Sequence, residues 1–185
     1  MRRSRRSSLA GSAPLPPRRK WRAITIATLV LVPAYWSILV GVVSVASDRS
    51  DAPPPAPYIA FGLCLIPFVF IALAFLSEHP RPSSAVTKAM ALTLLVGIPV
   101  SALARDAVTG FVAGVGAGGI AALRADLAHR TKARALAVLV ASAYVFLSVR
   151  VAGDSVLLFA PIFPFTSIGV ADHLSERRRD RAEVR

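Results

Sequence analysis

Six apolar stretches, at about residues 23–47, 58–77, 86–104, 107–123, 135–151 and 155–171, take up most of a 185-residue chain. Each approaches the ~20 residues an α-helix needs to cross a ~30 Å hydrocarbon core. The segments between them are short and hold the charge. Short connections make successive helices antiparallel neighbours. The expected fold is therefore all-α: a polytopic transmembrane helix bundle of six spans, arranged as three antiparallel hairpins. A hydrophobic content of 55% and a mean hydropathy of +0.59 agree, since they exceed the usual apolar share of a globular protein.

The fourth span is the weakest, because Gly and Ala contribute little to insertion and Arg105-Asp106 stands directly before it. Charge asymmetry tests it. With six crossings and an interior amino terminus, 19 of the 22 basic residues lie inside, and only Arg49, Arg105 and Arg150 lie outside. If the fourth stretch does not cross, everything after it inverts and the two sides hold 11 each. Positive charge is retained on the cytoplasmic side, so six crossings with both termini cytoplasmic are expected. The expected location is the cytoplasmic membrane of a bacterium.

Residues 1–22 hold eight basic and no acidic side chains with three prolines, and read as a disordered cytoplasmic tail. Ser4-Arg5-Arg6 and Ser44-Val45-Ala46 imitate parts of an export signal, but the apolar run from Ala23 far exceeds the ~7–15 residues of a signal core. An uncleaved first span is expected. The membrane domain then covers 23–171, and residues 172–185 read as a charged cytoplasmic tail of mixed sign. The first external loop contains Asp48 and the run DAPPPAP, which cannot continue a helix.

Within the fourth span, GFVAGVGAGG supports two readings. Gly114, Gly116 and Gly119 have the G-x-G-x-x-G spacing of a dinucleotide-binding turn, but no soluble βαβ unit surrounds them and the next acid, Asp126, comes too soon for a ribose contact. Gly110, Gly114 and Gly118 instead fall on one helical face, where missing side chains let another backbone approach closely. These three are the expected helix-packing residues.

The polar candidates are few, and no Asn or Gln occurs anywhere in the chain. Arg105 with Asp106, and Arg150 with Asp154, form a weak candidate for an external polar cluster that would bind a charged headgroup or solute; surface charge pairing is the plainer account. His79, His129 and His173 recur at the cytoplasmic ends of alternate spans beside acids, without a metal-ligand motif. No catalytic signature is present, and the single cysteine, Cys64, rules out an intrachain disulfide. No catalytic residue, metal or cofactor is expected. The net charge of +12 is segregated into cytoplasmic segments, so it points to anionic headgroups rather than nucleic acid. Arg124, Arg130, Lys132 and Arg134 form the internal loop best suited to such lipid. Pro33, Pro67, Pro99, Pro161 and Pro164 sit inside spans, and the last two are the best candidates for a helix break.

In its Arg and Ala bias, basic amino-terminal tail and six short spans, the chain resembles the small uncharacterised integral membrane proteins of high-GC actinobacteria. That resemblance implies a multi-pass membrane protein and no functional residues. The expected role is a non-enzymatic accessory or scaffold subunit that associates with lipid, a membrane-protein partner or further copies of itself. The alternative is a small-solute or lipid transporter.

Overall fold

The computed structural model describes residues 17–47, 54–123 and 131–183. Among these the protein is all-α, with helices α1 (Pro17–Ala46), α2 (Pro55–Leu76), α3 (Pro82–Ala104), α4 (Ala107–Ala122), α5 (Thr131–Ala152) and α6 (Phe163–Glu183). A 3-10 helix over Gly153–Ile162 joins α5 to α6. Three helices, Arg18–Ala46, Pro55–Leu76 and Pro82–Ala104, are long and apolar enough to cross a membrane. The apolar stretches Ala107–Ala122, Ala135–Val151 and Leu157–His173 are shorter. At 1.5 Å per residue α4 extends only about 24 Å.

Local chemistry sets the helix ends. Pro55 and Pro82 stand at the first positions of α2 and α3, where a missing N–H costs nothing. α2 stops in a Schellman turn: Glu78 takes the left-handed conformation at φ 52°, its N–H donates to the Phe75 carbonyl at 3.0 Å, and His79 N–H donates to the Ala74 carbonyl at 2.8 Å. α3 ends on Arg105, also left-handed at φ 51°. Asp106 then starts α4 at once, so the α3–α4 connection is only two residues long. Its carboxylate accepts from Val108 N–H at 3.1 Å and Thr109 N–H at 3.0 Å, which satisfies donors a helix start leaves orphaned.

The packing centres on α4. α1 pairs closely with α2, and α3 with α4, while α4 also touches α2, α5 and α6. Its Val115 is buried in a core completed by Leu31, Phe70, Leu73 and Phe165 from α1, α2 and α6, while its Val112 is buried in a second cluster with Tyr35, Val145 and Ala160.

One boundary differs from the hydropathy reading. α1 begins at Pro17, so residues 17–22 are helical rather than disordered, while α6 carries the charged segment after residue 172 on as helix as far as Glu183. The reason is tertiary. Lys20 and Asp172 form a buried ion pair, and the Trp21 ring packs over Gly169 of α6. The sixth apolar stretch is not one helix either. It changes from 3-10 to α between Ile162 and Phe163, with Pro161 and Pro164 on either side of the change. Each proline removes a backbone donor from the helical ladder.

Candidate functional site

α3 and α4 meet along a seam of small residues. On α4 the positions are Gly110, Gly114 and Gly118; on α3 they are Ala89, Thr93, Gly97 and Ser101, also spaced by four. A Cβ built on Gly114 would lie 2.5 Å from the Thr93 carbonyl oxygen and 3.0 Å from the Gly97 Cα. One on Gly118 would lie 2.7 Å from the Ala89 carbonyl oxygen, and one on Gly110 2.7 Å from the Gly97 carbonyl oxygen. These neighbours are backbone atoms that cannot swing aside. The three glycines therefore share one face, and that face is filled by α3. Gly116 and Gly119 face elsewhere, towards Val138 of α5 and Phe165 of α6. The α3 half of the seam escaped the sequence reading, although its four-residue spacing of small side chains was the available signal.

Close approach of α3 to one side of α4 leaves the adjoining side open. There α3, α4 and α5 enclose a groove of about 740 Å³. One wall is Leu92, Val96 and Val100 of α3; the other is Leu139 and Phe146 of α5, with Ala113 and Ala117 of α4 as floor. Thr109 and Ser142 are its hydroxyls, and both are engaged. Ser142 donates to the Val138 carbonyl at 2.8 Å, and Thr109 donates to the Asp106 carboxylate. The groove thus offers an apolar ligand surface area and no spare donor.

At the end of the bundle where α3 and α5 begin, charge is organised by contacts distant in sequence. Lys20 Nζ lies 2.9 Å from Asp172 Oδ2, and both side chains are only 5% exposed. Arg19 pairs with Glu78 on the exposed side of the same end. His79 Nδ1 accepts from Arg81 N–H at 3.1 Å, and His173 is half-buried on α6, whereas His129 lies outside the described residues. Among the described residues no group of three metal-ligating side chains gathers.

At the opposite end, Arg105 and Arg150 are both exposed, and among the described residues neither forms an ion pair. Asp106 is committed to the α4 start, and the Arg150 guanidinium stands 5.0 Å from the centre of the Phe146 ring. The Asp154 side chain lies outside the described residues. No described contact brings Arg105 and Arg150 into one cluster. Tyr35 packs against Phe111 with ring centres 5.1 Å apart, and its buried hydroxyl has no hydrogen-bond partner among the described residues.

No protein-family model, curated protein or solved structure matches the chain.

Proposed function

We propose that this protein crosses the bacterial cytoplasmic membrane six times, with both termini inside, and serves as a non-enzymatic accessory or scaffold subunit for another membrane component. The observation that supports this most is the state of α3. Only 6% of its most apolar window is buried, against 33% for α2, and Leu94, Leu95, Ile98 and Leu103 are exposed along it. α3 meets α4 along a small-residue seam and turns Leu94, Leu95, Ile98 and Leu103 outward, as a docking helix does. Extraction of the tagged chain in a mild detergent tests the reading. A stoichiometric partner that is retained by the parent chain and lost on Leu95→Trp supports it; a solitary monomer in both cases counts against it.

The 3-10 segment Gly153–Ile162 favours the second reading, a small-solute or lipid transporter, because carriers use interrupted helices to build sites within the bilayer. The groove beside α4 gives this reading less support. It is apolar, and none of its described lining residues belongs to α6.

A further inference from the structure

The interruption of the sixth span leaves a buried acceptor without its helical donor. In the 3-10 helix Gly153–Ile162 a carbonyl accepts from the N–H three residues on, and for Pro161 that residue is Pro164, which has none. The α-helical ladder of α6 starts one residue later, at the Ile162 carbonyl, so Phe165 does not supply Pro161 either. No backbone contact outside the helices reaches that carbonyl among the described residues. Ala160, Pro161 and Pro164 are all fully buried. A second polar group is left over in the same part of the bundle. Tyr35 of α1, only 5% exposed, shares a buried cluster with Ala160, Val112 and Val145, and Phe111 and Phe163 pack against it. Its hydroxyl is the one buried side-chain nitrogen or oxygen without a hydrogen-bond partner among the described residues. Buried polar groups are nearly always bonded to something, so a spare hydroxyl and a spare carbonyl around one cluster point to a shared partner.

We propose that the break in the sixth span is a binding site for a small uncharged molecule that carries a hydrogen-bond acceptor and a donor, water or a short polyol, with the Tyr35 hydroxyl donating to it and the Pro161 carbonyl accepting from it. This rests on the transporter reading above, whose substrate class it names. The surroundings select against charge. Apart from Tyr35 the cluster is apolar, and the Asp106 carboxylate is taken up by the start of α4, so an ion here would lose its hydration without compensation. A purely apolar molecule would leave both polar groups as they are. A second copy of the chain cannot reach a hydroxyl enclosed by α1, α4, α5 and the 3-10 helix. A small molecule with one acceptor and one donor satisfies both groups at once. Carriers use interrupted helices to present backbone carbonyls in this way.

Thermal unfolding of the full chain in mild detergent, run as a double-mutant cycle, tests the site. Tyr35→Phe should lower the midpoint by about 3 °C, the shift expected when a chain of this length loses one buried hydrogen bond. An unused hydroxyl gives the opposite result, since removing an unpartnered buried group leaves stability unchanged or raises it. Pro164→Ala restores an N–H that can occupy the Pro161 carbonyl from three residues on, so in that background Tyr35→Phe should cost about half as much or less. A midpoint that Tyr35→Phe leaves unchanged or raises, or losses from the two substitutions that simply add, overturns the site. Proteoliposomes then separate the two molecules. Shrinkage in a gradient of impermeant sucrose reads water, re-swelling in glycerol reads the polyol, and Tyr35→Phe should lower whichever flux the parent chain raises above that of protein-free vesicles. A coupled cycle in a chain that raises neither flux keeps the site and overturns the transporter reading; a raised flux that Tyr35→Phe leaves intact keeps the transporter reading and overturns the site.

Discussion

Asp106 shows how a residue with an apparent binding role is used up by the fold. In the sequence it stands beside Arg105 as half of a charged pair; in the structure its carboxylate faces the first turn of α4 and accepts from two backbone N–H groups and the Thr109 hydroxyl. Asp106→Ala should cost about 1 kcal/mol through loss of the cap. Asp106→Asn, which still accepts a hydrogen bond, should restore most of it, with thermal unfolding in detergent as the measurement. Charge alone could not reveal this role, because a helix-capping aspartate and a headgroup-binding one look alike until the start of the next helix is known. Arg105 is similar. Its left-handed backbone ends α3, a duty more often given to glycine, so nothing in its residue type announced it.

Among the elements, α4 was the most legible in what it is and the least legible in what it touches. Its boundaries, and the face made by Gly110, Gly114 and Gly118, follow from helical spacing alone. The identity of the opposing helix does not, since every span offers small residues somewhere. The structure pairs α4 with α3, the nearest helix in the chain, and builds the seam from Gly97, Thr93, Ser101 and Ala89. Gly114→Leu should therefore separate α3 from α4, with a loss of at least about 3 kcal/mol, because overpacking here meets backbone atoms. Ala117→Leu, three residues along on the groove side, should change stability by less than about 1 kcal/mol. Unfolding midpoints of the two variants in one detergent decide the matter; equal losses would show that the seam is not special. The sixth stretch was legible only in part. Its two prolines marked an interruption, but hydropathy is blind to the change from 3-10 to α geometry.

Across the whole molecule, the least legible feature is the pairing of Lys20 with Asp172, 152 residues apart. Both residues lie in segments whose local composition reads as solvated tail. Only the return of α6 beside α1 turns them into a buried contact, which hydropathy windows cannot see. Removing one charge of a buried pair withdraws the counter-charge nearest the other. Asp172→Ala alone should thus destabilise by about 3–5 kcal/mol, while Lys20→Met with Asp172→Leu should recover most of the loss. A double-mutant cycle by thermal unfolding measures the coupling, and additive losses would show that the contact contributes little.

The glycine seam also bears on how the chain is made. α4 is short and its side chains are mostly Gly, Ala and Val, so hydrocarbon alone holds it weakly during synthesis, whereas α3 has the length and hydropathy to enter the bilayer by itself. Under the proposed six-span topology, α4 would depend for its retention on a neighbour synthesised just before it. α3 would then act as an intramolecular chaperone, supplying from protein the packing that lipid cannot. On this account the Gly114→Leu chain should fail at insertion as well as in stability, giving two topologies that differ in the side of the membrane reached by everything after α4, which reporter fusions at residue 185 would count.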